Sequence, residues 1–299
     1  MRSIDHAELL VKPGSIVNLA DLNPGATHGF KHKDDTCEKL GADIKRLSEL
    51  QELFYASGQR ALLIILQGTD SAGKDGAIKH VMTGVNPQGV EVHGFKVPST
   101  TELSHDYLWR TTNVLPERGR IGIFNRSYYA EVVVVRIHHS VLENERLPKG
   151  SDANPALWKE RYEDINAFER HMSRNGTLIL KFFLHLSKDE QRKRLLERVE
   201  TPDKQWKLSS GDIHERTFWD SYQRAYAESL SNTSTPWAPW YIIPADHKWF
   251  ARVAIASVIV AELEALKLSY PVVSDERRAK LTGIRKELEE ADPVQAIPA

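Results

Sequence analysis

The sequence predicts an α/β protein, a three-layer α/β/α sandwich with helices packed on both faces of a central parallel sheet. Three observations carry that expectation. Short apolar runs suited to buried strands alternate with helical patterns along the chain. A glycine-rich G-x-x-x-x-G-K segment, Gly68 to Lys74, directly follows the first of those runs. A second run, Ile121 to Phe124, ends on Asn125 and Arg126, and ligands of open α/β sheets bind outside such strand ends.

Taken in order, residues 1–33 hold no sustained period and carry Pro13, Gly14, Pro24, Gly25 and Gly29, which reads as an extended arm. From Asp34 onward Leu40, Ile44, Leu47 and Phe54, with Leu50 between, share one helical face, and Gly58 stands where that helix should stop. Ala61 to Leu66 is continuously apolar, the pattern of a strand covered on both sides. Val90 to Phe95 and Ile121 to Phe124 read as short strands, Thr177 to Leu186 as a longer one and Tyr241 to Pro244 as a weaker one. Trp158, Tyr162, Ile165, Phe168 and Met172 mark a helix closed by Asn175-Gly176. Ser187 to Glu190 has capping-box spacing and should open another helix straight after the long strand. The last helix is expected over about Lys248 to Leu268, followed by a charged, Pro-containing tail that should fray. With no internal repeat or linker, the chain reads as one domain over 34–270, an arm over 1–33 and a tail over 271–299.

Composition narrows the function classes. The chain has 299 residues, 41% hydrophobic and 27% charged, as in ordinary soluble globular proteins. Its longest nearly apolar run, Val253 to Ala261, is far short of the roughly 20 residues that span a bilayer. The N-terminus lacks the pattern of a signal peptide. Cys37 is the only cysteine, which rules out an intrachain disulfide or a cysteine-based zinc cluster. A cytoplasmic protein is expected. Forty basic and 41 acidic side chains leave a net charge of −1, whereas a general grip on nucleic acid or an anionic membrane calls for a basic excess. Neither partner is expected, and any polyanion must be held by a local basic track. The 12 histidines form no metal-binding spacing, and His138-His139 is read as surface or packing.

The glycine-rich segment carries the first chemistry. Gly68 and Gly73 allow backbone N–H groups to turn inward around phosphate oxygens, and the following helix N-terminus adds a favourable dipole. Ala72, Gly73, Lys74, Asp75 and Gly76 are the candidate phosphate-binding positions, with Lys74 as a point charge on the terminal phosphates. Asp75 stands where the motif usually has the Ser or Thr that touches Mg²⁺. Asp70, inside the loop, would repel a cradled phosphate unless it holds a neutralising metal; the bland alternative is that it caps the turn. Arg194 and Arg198, four apart on a predicted helix, share a face. A solvated charged face is the usual reading of such a run, but it follows a strand of the sheet, where lid arginines of phosphate-transferring enzymes lie, and a guanidinium fork suits phosphate.

Together these segments resemble the family-2 polyphosphate kinases. The matching elements are Gly68-Thr-Asp-Ser-Ala-Gly-Lys74, Phe124-Asn-Arg-Ser-Tyr-Tyr129, Glu190-Gln with Arg194 and Arg198, Trp206-Lys-Leu-Ser209 with Asp212, and Ala238-Pro-Trp240 with Asp246, Lys248 and Arg252. They run in the family's order and cover about residues 40 to 265. The resemblance implies a P-loop kinase-like fold with a helical lid over about 188–235. It implies Mg²⁺-dependent phosphoryl transfer, reversible in principle, between inorganic polyphosphate and a nucleotide, with Mn²⁺ as an alternative ion. By position it assigns Asp70 and Lys74 to the loop, Asn125 and Arg126 to the second, nucleotide-facing motif, and Arg194 and Arg198 to the lid. Many members have Asp where this chain has Asn125; the form Asn-Arg-Ser-x-Tyr-x-Glu, ending at Glu131, resembles the subgroup that accepts both AMP and ADP. Metal contacts are expected from Asp70, with Asn125 and Glu131 as further candidates, since Glu131 could return the charge that Asn125 lacks. Lys79 and Lys96 are candidate members of the polyphosphate track. The expected partners are polyphosphate, AMP, ADP and ATP, and the expected assembly is a homo-oligomer, a dimer or tetramer. An ATP-dependent nucleoside or nucleotide kinase and a non-catalytic phosphate-binding regulator are the rival readings.

Overall fold

Ala61–Gln67 is buried at every residue and forms β1, the middle strand of a five-stranded sheet. The computed structural model describes residues 3–145, 147–148 and 154–291. The other strands are β2 (Val90–Gly94), β3 (Ile121–Asn125), β4 (Thr177–His185) and β5 (Trp240–Pro244). All pair in parallel in the order β2-β3-β1-β4-β5, so after β1 the chain crosses to the edge at β2, returns to β3 beside β1, and then adds β4 and β5 on the other side. The crevice at such a reversal, beyond the carboxyl ends of β1 and β3, is where open α/β sheets bind ligands.

Alternation along β1 divides the core. Leu62, Ile64 and Leu66 face a layer formed by α1 (Asp34–Ser57), α2 (Lys74–Val81) and the apolar α10 (Lys248–Ala265). Leu63 and Ile65 face α4 (Ala130–Ile137), α6 (Pro155–Arg174) and α9 (Trp219–Thr233). α3 (Trp109–Thr112) and α5 (His139–Asn144) are short connecting turns, and α7 (Lys188–Glu200) and α8 (Ser210–Glu215) lie in the segment expected to be the lid. Ser187 caps α7 as its spacing predicts, accepting from the Glu190 N–H at 3.1 Å. Asp246 adds a second hold on that helix start by accepting from the Ser187 N–H at 2.8 Å.

Two elements depart from expectation. The arm is extended, but it also docks: Val11 N–H donates to Trp240 O and Ile242 N–H to Leu9 O, while Ile4, Leu9, Val11, Leu19 and Phe30 are buried. It thereby covers the otherwise open edge of β5, which a five-stranded open sheet needs. The expected fraying tail contains a 17-residue helix, α11 (Asp275–Ala291). Its i,i+4 pairs Lys280–Glu276 and Arg285–Glu289 are the kind that support an exposed helix. The chain divides into two compact units, Met1–Leu268 and Ser269–Ala299, and α11 belongs to the second. The expected tail's residues 292–299 lie outside the described residues.

Candidate active site

The loop between β1 and α2 can only be glycine at its first position. A Cβ on Gly68 would lie 2.9 Å from Leu184 O, and its φ is +150°. Gly73, at φ +109°, then turns the chain into α2. The amides at this helix start have no intrahelical acceptor, which is what an anion-binding N-terminus requires. Lys74 is buried, and its ammonium donates to Gly68 O at 2.8 Å and Thr69 O at 3.1 Å. Burial lowers its pKa to about 8, with Arg126 adding to the effect and Asp70 opposing it.

The end of β3 lies beside this loop. Asn125 donates through Nδ2 to Asp75 Oδ1 at 2.6 Å, tying β3 to the start of α2. Arg126 takes the left-handed conformation, φ +65°, and its Nη2 meets Asp70 Oδ1 at 2.7 Å. A non-glycine residue in that region persists only where its surroundings fix it, and such residues cluster at functional sites. The anchor is behind the turn. Tyr128 and Tyr129 both donate to Glu169 Oε1 at 2.8 Å, and Lys181 donates to Glu169 Oε2 at 2.6 Å, to Tyr129 Oη at 2.8 Å and to Thr233 O at 2.7 Å. Lys181 and Glu169 are wholly buried. The tyrosines of the motif therefore hold the turn that presents Arg126, a role that no spacing in the sequence signals.

Two cavities meet at the Asp70–Arg126 pair. One, of about 590 Å³, is lined by eight basic side chains, among them Lys74, Lys96, Arg198, Lys204, Lys207 and Lys248, against four acidic ones. This is the local basic track that a chain of net charge −1 needs for a polyanion. Arg198 has no hydrogen-bond or ion-pair partner among the described residues and lines this cleft. The second cavity, about 490 Å³, is walled by Val133, Val134, Val135, Val141, Trp219, Tyr222 and Tyr226. Phe95, Lys96, Asp70, Arg126 and Asp212 line both.

Three expected residues are placed differently. Lys79 is exposed on α2 and lines neither cavity. Arg194 is buried at the edge of the basic cleft, but its guanidinium is taken up behind the loop by the backbone carbonyls of Ser71, Ala72, Ala245 and Asp246. Glu131 lies in the first turn of α4 and lines the second cavity, but it is buried beside Glu145 and Arg161. Burial, and then the neighbouring Glu145 carboxylate, push its pKa up to about 8 against the pull of Arg161. Burial favours the neutral form, which would bring no charge to a metal, while the Arg161 guanidinium at 3.8 Å favours the carboxylate. No group of three His, Cys, Asp or Glu able to hold a metal occurs among the described residues. Mg²⁺ bound through one or two carboxylates and substrate phosphates needs no such cage. Asp70, 30% exposed where the cavities join, fits that mode, and Asn125 is occupied with Asp75.

A family model described as Polyphosphate kinase 2 matches residues 31–270, most of the chain. The chain belongs to the polyphosphate kinase 2 family. An ADP-polyphosphate phosphotransferase of Rhodopseudomonas palustris is 51% identical over 259 residues, 87% of this chain and 90% of that protein. An AMP/ADP-polyphosphate phosphotransferase of Meiothermus ruber is 44% identical over 262 residues, 87% of this chain and 94% of that protein. The crystal structure of polyphosphate kinase 2 from Arthrobacter aurescens TC1 superposes with a TM-score of 0.85 at 38% identity, covering 96% of this chain and 100% of that one. The expected kinase fold and the expected enzyme class both hold: this chain is a phosphotransferase of that family. No helix among the described residues is long and apolar enough to cross a membrane.

Proposed function

We propose that this polyphosphate kinase 2 moves the terminal phosphoryl group of inorganic polyphosphate onto AMP and ADP, giving ADP and ATP. The observation that carries the reading is the meeting of a basic cleft and an apolar, aromatic-walled pocket at one Asp–Arg pair beside the phosphate-binding loop. A long polyanion suits the first cavity and a nucleoside with a flat base suits the second.

Polyphosphate lies along Lys96, Arg198, Lys204, Lys207 and Lys248, with its end phosphate against the Lys74 ammonium and the open amides of the α2 N-terminus. The nucleotide base enters the valine- and tyrosine-walled pocket, which brings its terminal phosphate to Arg126. An oxygen of that phosphate forms a bond to the end phosphorus of polyphosphate. The bond from that phosphorus to the bridging oxygen breaks, and its electron pair stays with the shortened polyphosphate. Catalysis of this kind is positioning and charge neutralisation, so no activated protein nucleophile is needed. Lys74, Arg126 and Arg198 neutralise the crowded phosphates, and Asp70 fixes Arg126. Mg²⁺, or Mn²⁺, held by Asp70 and the phosphates would supply further neutralisation.

A cytoplasmic location and a dimeric or tetrameric assembly belong to the same reading; light scattering on the purified chain tests the latter. The activity itself is tested by supplying polyphosphate as sole donor, with Mg²⁺ and either AMP or ADP, and measuring ADP and ATP. Product from both acceptors is expected. Product only when ATP replaces polyphosphate identifies an ATP-dependent nucleotide kinase instead.

A further inference from the structure

α7 reaches the back of the phosphate-binding loop with two buried side chains. Gln191 Nε2 donates to Asp70 O at 3.0 Å, and Arg194 Nη1 donates to both Ser71 O and Ala72 O at 3.0 Å. Three successive carbonyls are thus turned toward the helix. In a trans peptide the C=O and N–H point in opposite directions. With the Ala72 oxygen held from behind, the Gly73 N–H of the same peptide unit is directed to the other side, where the loop opens on the basic cleft. The Ala72 N–H closes the turn onto Thr69 O at 3.2 Å.

Arg194 spends every donor it has in doing this. Besides Nη1, its Nη2 donates to Ala245 O at 2.5 Å and Asp246 O at 3.0 Å, and its Nε to Glu190 Oε1 at 2.9 Å. A guanidinium has five N–H groups, and five acceptors are filled, so nothing is left for a phosphate. Gln191 is itself oriented, because Arg216 Nη1 donates to its Oε1 at 2.9 Å and to Lys188 O at 2.7 Å. Within the loop Ser71 holds φ +66°, a conformation that an L-residue keeps only when its surroundings over-determine it. The bonds from Gln191 and Arg194 to residues 70–72 do so. A cation behind these peptides also polarises them, strengthening the donors on their far side.

We infer that Arg194, with Gln191, is a positioning residue that moulds the 70–73 loop into its phosphate-receiving shape before substrate arrives, and is not a lid arginine that closes on the phosphates. The inference rests on the reading that this loop receives phosphate. Arg198, one turn further along α7, borders the same cleft with no side-chain hydrogen bond among the described residues, and is the contrasting case.

Amide hydrogen exchange in the substrate-free protein separates the two roles, because a residue that acts only by touching phosphate cannot affect a loop that holds none. Arg194→Lys keeps the charge but loses the fork. It should speed exchange of the Ala72 amide at least tenfold while the β4 amides keep wild-type rates, and should lower kcat for ATP formation at least tenfold. Arg198→Ala should leave Ala72 exchange within twofold of wild type. If Arg194→Lys also loosens β4, Gln191→Leu, which removes one carbonyl bond, should still speed Ala72 exchange several-fold. Unchanged Ala72 exchange in both α7 variants, or fast exchange with undiminished turnover, overturns the inference. Absence of any polyphosphate-dependent product from the wild-type protein would instead refute the proposed function, and would leave the exchange result intact.

Discussion

Lys181→Met tests whether the buried network behind Arg126 matters to both stability and catalysis. Lys181 and Glu169 have no exposed surface, and their carboxylate–ammonium contact is 2.6 Å. Glu169 also accepts from two tyrosine hydroxyls, and Lys181 satisfies the Thr233 carbonyl as well. Removing the ammonium leaves a buried carboxylate short of its counter-charge and a buried carbonyl short of its donor. Breaking a buried pair in this one-sided way costs about 3–5 kcal/mol, a large part of the 5–15 kcal/mol typical of a folded domain. Urea unfolding followed by tryptophan fluorescence should show a loss of that size. The double variant Lys181→Met/Glu169→Gln, which removes both charges, should recover a substantial part of it. Because Tyr128 and Tyr129 hang on the same carboxylate, the single variant should also lose turnover under conditions where it is still folded. A loss below about 1 kcal/mol, with normal turnover, would show that the network neither holds the turn nor presents Arg126.

Two further predictions concern titration and charge at the site. Lys74 has its pKa lowered to about 8, so raising the pH through 8 removes the ammonium that an anion needs. The KM for polyphosphate should therefore be flat below that value and climb toward tenfold per pH unit above it, whereas Lys74→Arg should flatten the profile; a wild-type KM unchanged to pH 9 would contradict the assignment. Burial and the adjacent Glu145 carboxylate shift Glu131 toward its neutral form, so the isosteric Glu131→Gln should change turnover with AMP and ADP by less than about tenfold, about 1.4 kcal/mol. A loss of 10²-fold or more, with altered Mg²⁺ dependence, would restore the role expected for it as a charged ligand.

Much of the scaffold was legible because its signals are local. The continuous apolar run at β1, the helical face from Leu40 to Phe54 and the Ser187 cap all appear where the sequence puts them. Lys74, Asp70, Asn125 and Arg126 converge because each sits at the carboxyl end of a predicted strand, and parallel topology brings those ends together. What was not legible depends on partners remote in sequence. Arg194 and Arg198 are equivalent on a helical wheel, yet four residues also separate them by about 6 Å along the axis. That rise lets Arg194 reach under the loop and fill its donors there, while the Arg198 side chain stays unbonded in the cleft that both border. Glu131 reads as an available carboxylate until Glu145 and Arg161 are seen beside it. The apolar pocket draws on α4, α8 and α9, and its walls, such as Val134 and Tyr222, carry no motif. α11 has a weak apolar stripe, and Pro293 with the charged run before it suggested a tail instead.

If donor and acceptor occupy separate cavities meeting at Asp70 and Arg126, their KM values should respond to different substitutions. Lys207→Glu/Lys248→Glu reverses charge in the basic cleft, and Val134→Phe fills space in the apolar pocket. The first variant should raise the KM for polyphosphate at least tenfold and leave that for AMP within twofold, while the second should do the reverse. Parallel changes in both constants, or the two effects exchanged, would contradict that arrangement.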